Sequence, residues 1–251
     1  PREACAVSSG IQRTLKYTRY LPASRWDPLV LTAHPRAYWR TDDRQLVDIP
    51  ASVKVVRAQA LDSARHLAIR GAYPRWVALP DQWVSWWAGA VATGLRLIHR
   101  HRPQVLWSTF PIATAHLIGM TLQRLTGLPW VADFRDSMTQ EGYPREPSVF
   151  RAARWIERQT VARARHLVFT AESAREMYLL RYPELDTGRC SVISNGFDEA
   201  DFLVLAPRPA TRTGPIPLVH SGVIYPEERD PVPFFRALAR LEREPSTESA
   251  P

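Results

Sequence analysis

The chain has 251 residues, 45% of them hydrophobic, which predicts one large globular domain or two smaller ones. Its formal net charge is +8 at pH 7, and every basic residue except Lys16 and Lys54 is an arginine. The sequence contains no zinc-ligand spacing, no RNA-binding aromatic signature and no helix-turn-helix pattern. Nucleic acid is therefore a less favoured partner for this charge than anionic lipid or a phosphorylated ligand.

Cysteine content and the amino terminus indicate the compartment. Cys5 and Cys190 are two isolated thiols, which fit a reduced cytoplasm and form neither a disulfide framework nor a metal cluster. No signal peptide is recognisable, and the arginine- and alanine-rich composition is typical of GC-rich bacterial coding. The chain opens at Pro1, which favours a start inside the fold. We expect a cytoplasmic protein, either free or peripheral at the inner face of the cytoplasmic membrane.

The first part of the chain alternates between short apolar runs and amphipathic stretches, which is the pattern of an α/β fold. The predicted elements are the end of a strand at 4–7, a turn at 8–10, a helix at 11–21, strands at 28–32 and 52–57, and a short helix at 62–69.

An aromatic helix is predicted next. Asp81 is its expected N-cap, no charge occurs over residues 82–95, and Trp83, Trp86 and Trp87 share one helical face. The uncharged part is shorter than the roughly 20 residues that a spanning helix needs. One interpretation is an interfacial helix with its tryptophans in lipid headgroups and its basic end, residues 96–102, on phosphates. The favoured interpretation is a helix packed against the sheet, because core-facing tryptophan is common.

Residues 102–136 have the pattern of a strand, a helix and a second strand. The apolar runs 105–107 and 130–132 have the length of buried parallel strands, and Ser108 or Thr109 is expected to cap the helix between them.

Charged residues follow the second of these strands just past its carboxyl end. They are Asp133, Arg135 and Asp136. Ligands of open α/β sheets bind outside the carboxyl ends of the strands. This segment is therefore the best site candidate in the sequence.

The rest of the chain continues the alternation and then changes in composition. Further predicted elements are helices at 148–165 and 172–182, strands at 166–170 and 190–193, an Asn-Gly turn at 195–196, a strand at 218–220, a turn at 221–222 and a helix at 231–241. The βαβ spacing predicts a parallel sheet. We expect a first domain over residues 1–202, a proline-rich linker over 203–217, and over 218–251 the start of a second domain that is too short to fold alone.

Four motifs in order carry a resemblance to a known family. They are WSTFPIATAHLIG, GLPWVADFRD, VISNGFDEADF and HSGVIYPEERDP. The chain resembles glycosyltransferase family 4, whose GT-B architecture places two Rossmann-like domains across a cleft. The resemblance implies an α/β fold with a Rossmann-like parallel sheet and helices on both faces, followed by an incomplete second domain. It also implies transfer of a sugar from a nucleotide-sugar donor, with the acceptor held by the amino-terminal domain.

Several residues match the family's phosphate-facing loops. Gly10 resembles the glycine loop after the first strand, where backbone N–H groups approach the donor phosphates. Asn195 and Gly196 resemble the turn at the domain boundary, and Ser221 and Gly222 resemble the first loop of the donor domain. The competing interpretation gives the glycines turn roles only.

The charged segment resembles the place where many relatives keep a catalytic or substrate-orienting His or Asp. Because Arg135 stands where some carry His, Asp133 or Asp136 is expected to act as general base; the alternative is a carboxylate that caps the next segment or pairs with Arg135. Arg135 is expected either to bind phosphate or to neutralise its neighbours. His116 is expected either to line the acceptor cleft or to be a satisfied core residue.

The resemblance also sets expectations for cofactors and activity. The family's pair of glutamates separated by seven residues would lie beyond Pro251, and no Asp-x-Asp pair is present. We therefore expect no metal and no cofactor, a nucleotide-sugar co-substrate, an acceptor among cell-surface polysaccharides or glycolipids, and no turnover by this chain alone. The alternatives are a non-catalytic acceptor- or membrane-docking module and, less favoured because G-x-G-x-x-G is missing, a dinucleotide enzyme.

Overall fold

The computed structural model describes residues 5–6, 10–38, 41–42, 48–68, 73–203, 217–220, 224 and 230–241. The chain divides into two compact units, Pro1–Phe202 and Leu203–Pro251. The first unit contains the sheets and the candidate site. Of the second unit, the structure describes one helix and a few residues of irregular conformation.

Strands and helices alternate from residue 86 to residue 192, as the sequence predicts. The described strands are β1 (Cys5–Ala6), β2 (Leu29–Ala33), β3 (Thr41–Asp42), β4 (Lys54–Ala58), β5 (Leu106–Phe110), β6 (Trp130–Phe134), β7 (His166–Phe169) and β8 (Cys190–Val192). The described helices are α1 (Gly10–Tyr20), α2 (Ser63–His66), α3 (Trp86–His101), α4 (Ala113–Thr126), α5 (Pro147–Arg163), α6 (Glu172–Arg181) and, in the second unit, α7 (Val232–Leu241).

The main sheet has four parallel strands in the order β5-β6-β7-β8. Strands β2 and β4 form a second parallel pair, and β1 and β3 a short antiparallel one. A helix lies between each pair of consecutive strands of the main sheet, because a parallel connection must return the chain to the starting edge. The predicted parallel α/β fold is confirmed.

Helices cover both faces of the main sheet. Successive side chains of a strand point to opposite faces, and neighbours in β6 contact different helices. Asp133 contacts Arg13 of α1, whereas Phe134 packs against His116 of α4 and Tyr178 of α6. Burial of the aromatic rings on this second face forms the larger core.

The aromatic helix α3 packs in the interior. Trp86 is 9% exposed, within a core cluster that includes residues of β2 and β4, and the indole N–H of Trp83 donates to the carbonyl of Ala37 at 3.1 Å. Trp87 is 39% exposed, and its N–H donates to Thr121. An interfacial helix would need all three rings on an open face, so the structure contradicts that interpretation and supports the packed one.

The ends of several predicted elements differ from the structure. Helix α3 begins at Trp86, and Asp81 instead accepts hydrogen bonds from the backbone N–H of Thr114 at 2.8 Å and from its hydroxyl at 2.9 Å, in the first turn of α4. Ser108 and Thr109 therefore do not cap α4; they lie within β5. The cap comes from a residue distant in sequence, which local patterns do not reveal.

Strand β6 is two residues longer than predicted. It extends through Phe134, so Asp133 lies inside the strand and not beyond it. The described residues 217–220 are not in a strand, although one is predicted at 218–220. No helix among the described residues combines the length and apolar character needed to cross a membrane.

Candidate functional site

The carboxyl ends of β5 to β8 gather the predicted charged segment at one edge of the main sheet. Arg135 and Asp136 follow β6, Thr170 follows β7, and Asn195 lies three residues after β8. The side chain of Arg13 in α1 contacts both Asp133 and Asn195, so α1 borders the same edge. This is the edge at which ligands of open α/β sheets bind.

Arg13 and Asp133 form a buried bidentate ion pair. The Nε of Arg13 donates to Oδ2 of Asp133 at 3.1 Å and its Nη2 to Oδ1 at 3.0 Å, and the side chains are 8% and 0% exposed. The hydroxyl of Thr109 donates to Oδ2 at 2.8 Å. Sequence patterns do not reveal Arg13 as the partner, because 120 positions separate it from Asp133.

These contacts distinguish the two predicted catalytic carboxylates. Both oxygens of Asp133 accept hydrogen bonds within the protein and none of the side chain reaches solvent, which favours a role in anchoring α1 to β6. Asp136 is exposed on the loop after β6. A general base must reach the proton that it takes, so the geometry favours Asp136, and catalysis by either residue stays a prediction.

Arg135 ties neighbouring strand ends together. Its Nε donates to the carbonyl of Phe110 at the end of β5 at 2.6 Å, and its own carbonyl accepts from the Thr170 hydroxyl at 2.7 Å. Burial lowers the pKa of its guanidinium from the ordinary value, against the opposing effects of Asp136 and Asp133. Arginine remains charged under such a shift, so this edge carries a fixed positive charge.

His116 lies in the core and not in an open cleft. It is fully buried, its Nδ1 is 2.8 Å from the Ser108 hydroxyl, and its ring packs edge-on against Phe134. Burial lowers the pKa of its imidazole to about 3. The predicted place in the acceptor cleft is contradicted because the side chain has no solvent contact. The alternative, a satisfied core residue, is met in part: the ring lies in the core, but its Nε2 has no hydrogen-bond partner among the described residues.

Of the remaining predicted binding residues, the structure describes Gly10, Asn195 and Gly196. Gly10 is the first residue of α1, and Asn195 is exposed with its Oδ1 3.4 Å from Nη1 of Arg13. Gly196 is exposed, and a Cβ added there would meet nothing within 4 Å. Ser221 and Gly222 lie outside the described residues. No three His, Cys, Asp or Glu side chains of the described ranges could together hold a metal ion.

A second ionic cluster joins α1 to the segment after β8. Lys16 contacts Asp198 at 2.8 Å and Asp201 at 2.7 Å, and the Tyr20 hydroxyl donates to Asp198 at 2.7 Å. Hydrogen bonds from Lys16 and Tyr20 lower the pKa of Asp198 to about 2. Together with Arg13, these contacts fix α1 against two parts of the candidate site.

One solved structure shares this fold at low sequence identity, and two others match with lower TM-scores. Apo UGT2 of Phytolacca americana matches with a TM-score of 0.52 and 13% identity over 79% of this chain and 52% of that one. UGT2 complexed with UDP-2fluoro-glucose and pterostilbene matches with a TM-score of 0.49 and 13% identity over 80% and 56%. Sucrose-phosphate synthase of Thermosynechococcus elongatus matches with a TM-score of 0.45 and 14% identity over 77% and 88%.

The chain thus spans about half the length of the UGT2 chains. No curated protein matches its sequence. A family model described as "Glycosyl transferase 4-like domain" matches residues 9–196, which include α1, the main sheet and the described residues among those predicted for the site. The chain therefore belongs to the family of glycosyl transferase 4-like domains.

Proposed function

We propose that this chain is the acceptor-binding part of a nucleotide-sugar-dependent glycosyltransferase. The observation that carries the proposal is the carboxyl edge of the main sheet. The exposed Asp136 and the charged Arg135 follow β6 there, and Arg13 in the first turn of α1 contacts both Asp133 and Asn195. The match of the family model to residues 9–196 supports a role in sugar transfer for this edge. The resemblance to GT-B enzymes supports an acceptor bound there.

In the proposed reaction the acceptor hydroxyl attacks the anomeric carbon of the donor sugar. A carbon–oxygen bond forms to the acceptor, the bond from the anomeric carbon to the phosphate oxygen breaks, and the nucleoside diphosphate leaves. The carboxylate of Asp136 takes the hydroxyl proton. Backbone N–H groups at the start of α1, held in place by the Arg13–Asp133 pair, face the negative charge of the leaving group.

The proposed acceptor is a cell-surface polysaccharide or a glycolipid at the cytoplasmic face of the membrane. The net charge of +8 supports approach to an anionic surface. The burial of Trp86 removes the tryptophan face as the contact. In this proposal the nucleotide sugar is a co-substrate, and loops and helix termini, without a metal, stabilise its phosphates.

Ligand-observed NMR on the purified chain tests the class of ligand. The probes are UDP-glucose, GDP-mannose, a set of methyl glycosides and, as a contrast, NADH. We expect saturation transfer to at least one carbohydrate probe and a weaker signal with an Asp136→Asn variant. Saturable binding of NADH, with no carbohydrate signal, would replace the proposal with a dinucleotide function.

A transfer assay tests the need for a second half. We expect no detectable transfer of radiolabelled sugar from UDP-glucose or GDP-mannose to bacterial membrane lipids by this chain alone, because the GT-B donor site is built largely by the second domain. Robust transfer by the purified chain would show that the catalytic centre is complete within these 251 residues.

A further inference from the structure

A fully buried glutamate lies behind the loop that carries Asp136. Glu157 of α5 is 0% exposed, and it is the single acidic residue of that helix. Its Oε2 accepts from the Thr139 backbone N–H at 3.0 Å, the Thr139 hydroxyl at 2.8 Å and the Tyr178 hydroxyl at 3.1 Å. Its Oε1 accepts from Arg154 at 2.8 Å, Arg181 at 2.9 Å and the Tyr182 hydroxyl at 2.7 Å. These six residues form the Glu157 cluster.

Stability alone does not explain a carboxylate at this position. Removal of a charge from water is costly, and a well-packed apolar side chain often serves a core at least as well as a buried ion pair. The donors of the Glu157 cluster offset that cost, and they come from α5, α6 and the loop after β6. The carboxylate therefore connects three parts of the fold that an apolar residue would not hold in one geometry.

The loop after β6 is fixed on both sides of Asp136. Before it, Arg135 is bonded to the end of β5 through its side chain and to Thr170 through its carbonyl. After it, the Met138 N–H donates to the Tyr178 hydroxyl at 3.1 Å, and Tyr178 in turn donates to Glu157. Asp136 and Ser137 thus lie between Arg135 and Met138, which these hydrogen bonds connect to the rest of the fold.

The anchor on the far side is packed against the main sheet. The Tyr178 ring packs against Phe134 and Phe169 of the sheet at centroid distances of 4.9 and 5.0 Å. Arg181 adds a bond from its Nη1 to the carbonyl of Thr139 at 2.9 Å. The Glu157 cluster therefore ties the loop to the sheet and to α6 together.

We infer that Glu157 is a positioning residue for the exposed carboxylate of Asp136. It acts through Thr139 and Tyr178, which hold the loop so that Asp136 meets an acceptor hydroxyl without first ordering its backbone. The inference rests on the proposed function for the meaning of Asp136. The geometry that it describes can be measured without any sugar.

Hydrogen exchange tests the anchoring. In a Glu157→Gln variant we expect the Met138 and Thr139 amides to exchange about tenfold faster, which corresponds to the loss of one hydrogen bond to a charged group. The amides of β7 should keep their parental rates. The matched control is Glu172→Gln, which removes an exposed acid of α6 that pairs with Arg175 and should leave the loop unchanged.

A spin label at position 136 measures the mobility of the loop at this residue. A residue that only stabilised the fold would not change this mobility in a folded chain. The label is attached to an Asp136→Cys variant in a background with Cys5→Ser and Cys190→Ala. We expect restricted motion in this background and faster motion after Glu157→Gln, at temperatures where circular dichroism shows both chains folded. A folded Glu157→Gln chain with an equally restricted label would overturn the inference.

A second variant tests the same inference if the Glu157→Gln chain does not fold. Tyr178→Phe keeps the ring packing and removes the hydroxyl that bonds Met138 and Glu157. We expect it to accelerate Met138 exchange and to mobilise the label at 136; unchanged values of both would refute the inference. Failure of the carbohydrate probes to bind would count against the proposed function alone, because neither readout uses a ligand.

Discussion

Arg13 and Asp133 are the residues whose roles depend most on each other. Each neutralises a charge that solvent barely reaches, since their side chains are 8% and 0% exposed. Removal of one member of such a pair leaves the other charge buried and costs about 3–5 kcal/mol. The exposed Asp136, three positions later, has no such constraint on the folded state.

A comparison of two aspartates separates anchoring from catalysis. We expect Asp133→Asn to lower the free energy of unfolding by about 3 kcal/mol or more. Asp136→Asn should change it by less than about 0.5 kcal/mol, as is usual for surface substitutions. Urea denaturation of both variants measures this. Equal losses would mean that the buried pair contributes no more than a surface charge.

His116 predicts a dependence of stability on pH. Its folded pKa of about 3 lies below the ordinary value of 6.5, so the unfolded chain binds a proton that the folded chain does not. Its contribution therefore destabilises the fold as pH falls from 6.5 toward 3, with a slope approaching about 1.4 kcal/mol per pH unit.

The matched variant is His116→Phe, which keeps a ring in the aromatic site between Ser108 and Phe134. We expect its free energy of unfolding to depend less on pH between 6.5 and 4 than that of the parent, as measured by urea titrations at a series of pH values. Identical slopes in the two chains would assign the acid sensitivity to other groups.

Helix α4 packs closely against strands β5 and β6 at Gly119. A Cβ added at Gly119 would lie 2.7 Å from Nε1 of Trp130 and 3.0 Å from the Ser108 hydroxyl oxygen. Trp130 is fully buried and donates to Ser108, so its indole cannot move without loss of that bond. The helix can approach the strands this closely only because residue 119 has no side chain.

We expect Gly119→Ala to destabilise the chain by about 1–3 kcal/mol, the usual cost of overpacking a core. The control is Gly196→Ala, where the added methyl group meets nothing within 4 Å. Thermal unfolding of the two variants provides the comparison. If Gly119→Ala melts with the parent, α4 does not rest on β5 and β6 as closely as described.

The same elements show what a sequence reveals and what it hides. Strands β7 and β8 and helices α5 and α6 agree with their predicted bounds within two residues, because apolar periodicity and Pro or Gly breaks are local signals. The charged edge was predicted from strand ends alone. The cap of α4 was missed, since Asp81 is 33 positions from Thr114.

Burial of charge was the other feature that the sequence concealed. The segment after residue 129 reads as a short strand followed by a polar loop, yet Asp133 is a buried strand residue because Arg13 compensates it. Likewise Glu157 lies in an arginine-rich helix, and the donors that accompany its burial include residues of other parts of the chain. In both cases the deciding partner comes from another element, and its position follows only from the tertiary fold.

The family match and the candidate site both fall within the first compact unit of the chain. Helix α1 links the parts of this site: Arg13 reaches β6, and Lys16 and Tyr20 reach Asp198 after β8. The Glu157 cluster supports the same edge from the opposite face of the sheet, where α5 and α6 pack. Contacts on both faces of the main sheet therefore hold the carboxyl edge around the exposed carboxylate of Asp136.

Chemical-shift mapping of the backbone amides tests directly whether a carbohydrate binds at the carboxyl edge of the main sheet. The isotope-labelled chain is titrated with the carbohydrate probe that gives the strongest saturation transfer. We expect saturable shifts at Asp136, Thr170 and Asn195, which follow strands of the main sheet at its carboxyl edge, and at Gly10, the first residue of α1. Shifts clustered instead at the opposite edge, around Gly127 and Arg165, would contradict it.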